Sequence, residues 1–453
     1  MTRQPAEEWG LSLFDAVLLV CGAVVGIGIF FTPTQIALQV SSPGMFLGVW
    51  IAAGVLTLLG CFTISELGAA FPREGGIYLY LSELVGPLWA FLYGWSAIWI
   101  ASTGGLAVVA MFMGDNLSEE HGTQIAVAAL LGFGALCALG LRVGARSQSL
   151  MMLVKLAGIF ALLWGGWTLA GSPSDPEPLL EASSTGGGGV GGFALALLPA
   201  LFAYMGWANL GNITNRLREP VRDLPRAILL GMGGVILLYV ALAGVYLHAV
   251  GLEGIRENPL VASEVAKLAF GSTGEELFKV GLAISAGGVC LCSLILLPWI
   301  TVAMAKNGHF FRLFGVVHPR TGAPLASLAA IILISIGWIL FADSELVLEA
   351  QGQNASIINT ILLGGYLNAL RKRPDLKRPF KSPLHPWIPR LYFVLLVSML
   401  TGQVYGLFSE RSLQDALTLL GISFGILLSG ALVYGPWRWL VSRTDGDPEV
   451  KAQ

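Results

Sequence analysis

The sequence predicts an all-α polytopic membrane protein with twelve transmembrane helices. Of its 453 residues, 55% are hydrophobic and only 12% are charged, which is about half the charged fraction of a soluble domain. Apolar stretches long enough to cross ~30 Å of hydrocarbon recur along the whole chain. We number them spans 1 to 12, and they cover residues 12–39, 43–69, 86–114, 123–141, 147–171, 192–215, 224–250, 276–305, 324–342, 346–370, 387–408 and 413–439.

Spans 1 and 6 carry glycine-containing interruptions at matching depth. Gly26-Ile27-Gly28 and Tyr204-Met205-Gly206-Trp207 each fall near the middle of their span. Because a helix in lipid must satisfy its own backbone, paired breaks at mid-depth predict a cavity lined by protein. The alternative is a face of small residues at which two membrane helices pack closely.

The positions of the breaks predict two inverted repeats. Because span 6 comes five spans after span 1, the two cross in opposite directions: span 1 enters from the cytoplasm and span 6 from outside, as in a secondary transporter. Spans 11 and 12 stand outside the repeats. The predicted organisation is a cytoplasmic N-terminus (1–11), a first repeat (12–171), an external Gly/Ser/Pro-rich loop (172–191), a second repeat (192–370), a basic cytoplasmic loop (371–386), helices 11 and 12 (387–439) and a cytoplasmic C-terminus (440–453).

Basic residues set the predicted orientation, because cytoplasmic loops retain Lys and Arg. Of the 26 Lys and Arg, four (Arg256, Lys267, Lys279 and Arg411) fall on the external side, Lys155 lies deep within a span, and the other 21 are on the cytoplasmic side. We therefore expect a multi-pass protein of the plasma (inner) membrane with both termini in the cytoplasm.

Motifs for metal binding, nucleotide binding and enzymatic chemistry are missing from the sequence. All five cysteines lie inside predicted spans, and there is no C-x-x-C pair, H-E-x-x-H motif or Walker loop. Nor does a convergent His, Asp or Glu cluster support a membrane enzyme. We expect no cofactor. We expect transport to be driven by a gradient or by exchange.

The break in span 1 suits a zwitterionic substrate. Where one half-helix ends and another begins, amide N–H groups can meet an anion and carbonyl groups can meet a cation. Neither break contains an acidic side chain. This disfavours a polyamine or a fully cationic substrate.

Several motifs occur in order along the chain. They are Gly22 to Phe30, Ser65-Glu66-Leu67-Gly68, Phe71 to Tyr78, Phe202 to Trp207, Asp223 to Ile228 and Leu370 to Phe380. Together they resemble the amino acid-polyamine-organocation (APC) superfamily, closest to its bacterial L-type (LAT-like) amino acid transporters. The resemblance covers essentially the whole chain and implies a LeuT-like five-plus-five inverted repeat, with the substrate between broken helices 1 and 6.

The resemblance also implies a substrate site. The substrate carboxylate would meet the backbone N–H groups of Ile27 and Gly28, its ammonium would meet carbonyls of both breaks, and Phe202 would be an aromatic gate. Relatives often have Ser or Thr where this chain has Ile27, so a hydroxyl contact is lost and the pocket is more apolar. The implied substrate-binding residues are Val24, Gly26, Ile27, Gly28, Phe202, Ala203, Met205, Gly206 and Trp207.

Lys155 is a charged residue inside span 5. A lysine in hydrocarbon costs ~3 kcal/mol or more unless it faces protein or water. The alternative is snorkelling to the cytoplasmic surface, which Arg146 marks ~13 Å away at 1.5 Å per residue. The resemblance implies that Lys155 replaces the ion of sodium-coupled relatives and bridges helices 1 and 8, where Ser285 is its candidate partner.

Two regions depart from the family pattern or allow a second interpretation. The acids that usually follow the helix 6 break are replaced by Asn215 and Arg216, which leaves the cytoplasmic gating contacts in question. Span 10 carries a polar run between Glu349 and Asn359. That run fits either a functional surface or polar packing between helices.

The expected function is sodium-independent transport of neutral L-amino acids by alternating access, as an exchanger or a proton symporter. The alternatives are a polyamine or cationic amino acid antiporter and a non-transporting sensor or subunit of the same fold. Eukaryotic L-type relatives bond a heavy chain through a cysteine after helix 3, but the loop 115–122 has none. The expected partners are an amino acid substrate and the lipid bilayer, without nucleic acid or a covalent heavy chain.

Overall fold

The computed structural model describes residues 10–171, 189–341, 344–409 and 413–444. Most of the predicted external loop (172–191) and of the two termini lies outside these ranges. Within them the regular structure is helical, and the β-type pairing consists of one isolated bridge, between Leu11 and Leu217. The predicted all-α class is confirmed.

The described residues form sixteen α-helices, which are numbered in chain order. They are α1 (Leu13–Val24), α2 (Gly28–Gln39), α3 (Pro43–Ala70), α4 (Ile77–Leu84), α5 (Pro87–Ser96), α6 (Thr103–Leu117), α7 (Gly122–Ala138), α8 (Leu141–Thr168), α9 (Gly189–Ala203), α10 (Pro220–Glu257), α11 (Val261–Leu296), α12 (Pro298–Lys306), α13 (Leu325–Phe341), α14 (Ser344–Lys372), α15 (Trp387–Ser409) and α16 (Leu413–Thr444). A π-helical turn, Ala97–Ala101, and two 3-10 segments, Trp207–Arg216 and Arg312–Gly315, complete the helical structure of the described residues.

The helices make this a multi-pass membrane protein. Among the described residues, eight helical segments are long and apolar enough to cross a membrane, and nine are if the bent α1–α2 pair counts as one span. The apolar helices α7 and α13 are shorter, and α14 contains the polar run. Each of the twelve predicted spans coincides with helical structure.

Both predicted breaks are present. Helix α1 ends at Val24, α2 begins at Gly28, and their axes are bent by 46°. Helix α9 ends at Ala203 and is followed by turn residues and then by a 3-10 segment. The simplest expectation for the second half of span 6 is an α-helix. The structure instead has the tighter 3-10 geometry there, which is common at strained or mobile positions.

Other helices pack around the two breaks. Helix α1 packs against α8 on one side and α10 on the other, and α2 packs against α9. Helix α10 also packs along α3, while α11 packs against α8 and α6. Side chains from α8, α10 and α11 can therefore reach the backbone that the breaks expose.

Candidate substrate site between two helix breaks

Lys155 lies at the break between α1 and α2. Its side chain is buried, and Nζ donates to the carbonyl oxygen of Val25 at 2.9 Å. Val25 is the C-cap residue of α1, and the last turn of α1 has no basic residue of its own. Because the C-terminal end of a helix carries partial negative charge, an ammonium group is favourable there. Lys155 supplies from α8 the cation that α1 lacks, and it does not snorkel.

Ser285 joins the same break from α11. Its hydroxyl lies 3.4 Å from the carbonyl oxygens of both Val25 and Gly26. Lys155 and Ser285 therefore share the Val25 carbonyl as a partner. The ammonium and the hydroxyl together tie the end of α1 to α8 and α11.

Tyr239 connects the two breaks from α10. Its fully buried hydroxyl lies 3.0 Å from the carbonyl oxygen of Val24 and 3.4 Å from that of Ala203. A phenol has one O–H donor, whereas each carbonyl has two lone pairs. Each of these carbonyls belongs to a break at which the family resemblance places the substrate ammonium, and each therefore keeps acceptor capacity beside the tyrosine.

The N-terminus of α2 is not capped by a side chain. Its N-cap residue Ile27 makes no side-chain capping hydrogen bond, and its first turn has no acidic residue. The first amides of a helix have no partner within the helix, and they carry partial positive charge. This end of α2 therefore matches a carboxylate of an incoming molecule.

Glycines allow the two breaks to touch. A Cβ at Gly28 would lie 2.8 Å from Cα of Ala203, and a Cβ at Gly206 would collide with the carbonyl of Ala23. Gly206 also has a φ of 115°, in the region that favours glycine. Backbone therefore meets backbone at the site, and no side chain fits between the breaks at either glycine.

The side chains of the breaks differ in exposure. Phe202 and Met205 are 42% and 46% exposed. Trp207 is buried, and its ring lies 3.0 Å from the point that a Cβ of Gly60 would occupy on α3. Ile27 packs against an apolar cluster formed by Met113, Ala283 and Ala286. The surface that remains accessible at the second break is therefore apolar.

Comparison with known proteins assigns the family. The family model described as an amino acid permease matches residues 11–427. This chain belongs to the amino acid permease family of the APC superfamily. The permease is therefore assigned to transport and not to an enzymatic reaction.

Three relatives align with the permease over most of its length. It is 28% identical to the serine/threonine exchanger SteT of Bacillus subtilis (strain 168), over 86% of this chain and 91% of that protein. It is 25% identical to the b(0,+)-type amino acid transporter 1 of Mus musculus, over 95% and 89%. It is 26% identical to the large neutral amino acids transporter small subunit 2 of Rattus norvegicus, over 94% and 80%. All three names describe amino acid transport.

Three segments of the permease meet at Glu74, in the loop between α3 and α4. Its carboxylate accepts hydrogen bonds from Asn215, which follows the second break, and from Lys306, at the end of α12. The Arg216 guanidinium lies 4.4 Å from the centre of the Trp299 ring. The sequence lacks the acids that relatives usually have after the second break, which left the gating contacts in question. In the structure, the segment after the break supplies Asn215, and the carboxylate belongs to Glu74 in the loop between α3 and α4.

Two motifs of the family resemblance contact each other. Glu66, in α3, is fully buried and accepts from Arg378 at 3.0 Å and from the hydroxyl of Ser382 at 2.8 Å. His385 lies 3.4 Å from the same carboxylate. The basic loop between α14 and α15 is thus anchored to α3 by a buried cluster.

The C-terminal end of α2 is bound by residues near the end of α10. Arg256 donates to the carbonyl oxygens of Ala37 at 3.0 Å and Val40 at 2.7 Å. The hydroxyl of Thr34 donates to the Asn258 carbonyl at 2.6 Å. Arg256 places a positive charge at the negative end of α2, which is the favourable orientation.

The sequence identified Lys155 and Ser285 but missed Tyr239 and Glu74. A tyrosine within the apolar run of span 7 has no spacing that marks it. Two features of the sequence could have pointed to Glu74: it lies in the Phe71 to Tyr78 motif, and Arg216 requires a counter-charge. In the polar run of α14, Gln353 bonds to Ser423 at 2.9 Å, which is packing between helices.

Proposed function

We propose that this permease is a sodium-independent secondary transporter of neutral L-amino acids that works by alternating access, as an exchanger or a proton symporter. The observation that carries the proposal is the hydrogen bond from the Lys155 ammonium to the Val25 carbonyl. An ammonium fixed to the end of α1 does there what a bound sodium ion would do, because both neutralise the exposed carbonyls of a helix C-terminus.

The substrate is held by its backbone atoms. Its carboxylate binds the uncapped N-terminus of α2, at the amides of Ile27 and Gly28, where the helix dipole favours an anion. Its ammonium binds the free lone pairs of the carbonyls of Val24 and Ala203, and those of Phe202 and Met205. Both charges of a zwitterion are then matched without a charged side chain.

The substrate side chain faces an apolar surface. Phe202 and Met205 are exposed at the second break, and Ile27 stands where relatives often have a hydroxyl residue. Neither break contains an acid that would select a cationic side chain or a polyamine. Neutral amino acids are therefore the substrate class, and Phe202 closes over them as a gate.

The transport cycle requires the full membrane topology. We propose twelve spans with cytoplasmic termini in the plasma (inner) membrane, and inverted repeats over residues 12–171 and 192–370. The helices observed at each predicted span support this arrangement. The loop 115–122 has no cysteine, so the permease works without a covalent heavy chain.

Exchange is the favoured mode. The name of the Bacillus relative describes an exchanger, and coupled antiport needs no ion at the position that Lys155 occupies. A proton symporter is the second form of the same proposal, since proton coupling also needs no sodium ion at the position of Lys155.

Counterflow in proteoliposomes tests the proposal. Liposomes loaded with one amino acid are exposed to a panel of labelled neutral, acidic and basic amino acids and polyamines, with and without sodium and a pH gradient. We expect rapid uptake of neutral L-amino acids in sodium-free buffer. Selective uptake of basic substrates would favour a cationic antiporter, and binding without flux would indicate a sensor. Stimulation by an inward proton gradient would distinguish symport from exchange.

A further inference from the structure

Gln148 is a buried polar side chain that the site as described so far does not use. It lies on α8 and is 0% exposed. Among the described residues, neither Nε2 nor Oε1 of its amide has a hydrogen-bond partner. Buried polar groups in native proteins are nearly always bonded, and an exception requires an explanation.

Two glycines shape the space around this amide. Nε2 fills a notch that Gly22 leaves on α1, where any side chain would collide with it. On α11, a Cβ at Gly288 would lie 3.6 Å from Oε1 of Gln148 and 2.8 Å from Nζ of Lys155. The amide oxygen and the ammonium therefore border the same small space.

The two groups are chemically complementary. A lysine ammonium has three N–H donors, and an amide oxygen has two acceptor lone pairs. The hydrogen bond from Lys155 to Val25 uses one of those donors. Beside it, Gln148 offers an acceptor without a partner.

Gln148 and Lys155 share one helix, whereas Val25 lies outside it. Gln148 and Lys155 are both on α8, seven positions apart, on one face of the helix, so their separation is fixed. Val25 belongs to the break between α1 and α2. When α1 moves relative to α8 in an alternating-access cycle, the hydrogen bond to Val25 must stretch or open. A buried ammonium without an acceptor is strongly unfavourable.

We propose that Gln148 is a positioning residue that accepts the Lys155 ammonium when the hydrogen bond to Val25 opens. The inference rests on the proposed transport function. Gln148 acts through Lys155 and does not touch the substrate. It stabilises the ammonium during the conformational change, so its loss slows turnover while substrate affinity stays the same.

Gln148→Met tests this, because it removes the amide at nearly constant volume. The matched control is Gln353→Met, which removes another buried glutamine amide, at the contact of α14 with α16. Both variants and the wild type are measured in proteoliposomes for maximal exchange rate, KM and thermal stability. Loss of a hydrogen bond to a charged group predicts about a tenfold lower maximal rate for Gln148→Met. Its KM stays within about twofold, and the control stays near wild type.

Two further variants separate positioning from simple packing. Gln148→Glu keeps an acceptor that can pair with Lys155, so it should retain more activity than Gln148→Met. If Gln148 only filled space, the buried carboxylate would be the worse substitution. Gly22→Ala pushes the amide out of its notch and should lower the maximal rate as well.

A wild-type maximal rate in Gln148→Met would overturn the inference. So would a raised KM at an unchanged maximal rate, because it would place Gln148 against the substrate. If Gln148→Met does not fold, Gln148→Asn is measured, and its shorter amide should show the same slow turnover. A wild type that catalyses no exchange would instead refute the proposed function.

Discussion

At the first break, side chains from three other helices bind the exposed backbone. At the second break, the backbone is shaped by its own glycine. Lys155, Ser285 and Tyr239 reach the carbonyls at the end of α1, whereas Gly206 turns the chain after α9 with a φ of 115°. Side chains of three helices therefore bind the carbonyls of the first break, whereas at the second break Tyr239 reaches Ala203 and Gly206 sets the turn. We expect changes on α8 to act mainly on the first break.

The two breaks also differ in what they offer a ligand. The first presents an uncapped helix N-terminus and carbonyl groups. They suit the carboxylate and ammonium groups, which are the same in every amino acid. The second presents Phe202 and Met205, whose side chains are exposed. In the proposed function, the first break and the carbonyls of the second therefore recognise the amino acid backbone, and the side chains of the second break select the substrate side chain.

The largest effect is expected from Gly28→Val, which forces the breaks apart. A Cβ at this position would lie 2.8 Å from the Cα of Ala203, and overpacking of this kind typically costs ~1–3 kcal/mol. Because the valine also obstructs the amides of α2, we expect substrate affinity to fall by about a hundredfold or more. Binding of a labelled neutral amino acid measures this.

Gly158→Val is the control for that variant. Gly158 lies on the exposed face of α8, and nothing lies within 4 Å of the position of its Cβ. This variant should bind substrate normally. Wild-type affinity in Gly28→Val would remove the carboxylate from the first break and so remove the difference between the two breaks.

A smaller effect is expected from Phe202→Ala at the second break. The ring is 42% exposed, so its loss should hardly affect folding. Without the gate, the substrate is retained less well, and we expect about a tenfold weaker apparent affinity, which is ~1.4 kcal/mol. Leu198→Ala, one turn earlier on α9 and also exposed, should exchange normally. Equal kinetics in the two variants would place the gate elsewhere.

The smallest effect is expected from Glu74→Gln, at the contact with Asn215 after the second break. The amide keeps a hydrogen bond to Asn215 but loses the charge that faces Lys306. Because Lys306 is 47% exposed, that ion pair contributes only ~0.2–1 kcal/mol. We expect a two- to fivefold change in exchange rate and faster hydrogen exchange of segment 207–216.

Glu83→Gln removes an exposed carboxylate that pairs with Arg73 and should leave both readouts unchanged. If Glu74→Gln behaved like Glu83→Gln, the contact with Asn215 and Lys306 would have no part in the transport cycle.

Local patterns in the sequence predicted the helices, the two breaks and the special position of Lys155. Each has a local cause: apolar run length, glycines at mid-depth and a charge inside hydrocarbon. The burial of Lys155 was predictable because the cytoplasmic surface is at the limit of its reach. The 3-10 segment Trp207–Arg216 was not, since its residues carry no pattern that distinguishes it from an α-helix.

Contacts across the fold were beyond the sequence alone. Tyr239 meets Val24 over a separation of 215 residues, and Lys306 meets Glu74 over 232. Such pairs arise from the packing of α10 on α1 and of α12 near the α3–α4 loop, which no local spacing encodes. The neighbourhood of Gln148 likewise depends on two glycines from two other helices.

The most direct test of the account is exchange by Lys155 variants with and without sodium. The measurement is counterflow of a neutral L-amino acid in proteoliposomes, for the wild type, Lys155→Ala and Lys155→Arg. The account predicts equal wild-type rates in sodium and sodium-free buffer. Lys155→Ala should lose about a hundredfold in rate, because a buried charged hydrogen bond contributes roughly 1.5–3 kcal/mol. Lys155→Arg should also fail, since a planar guanidinium does not replace an ammonium at a confined site. Sodium-dependent wild-type exchange, or full activity in Lys155→Ala, would contradict the claim that this lysine holds the first break in place of a cation.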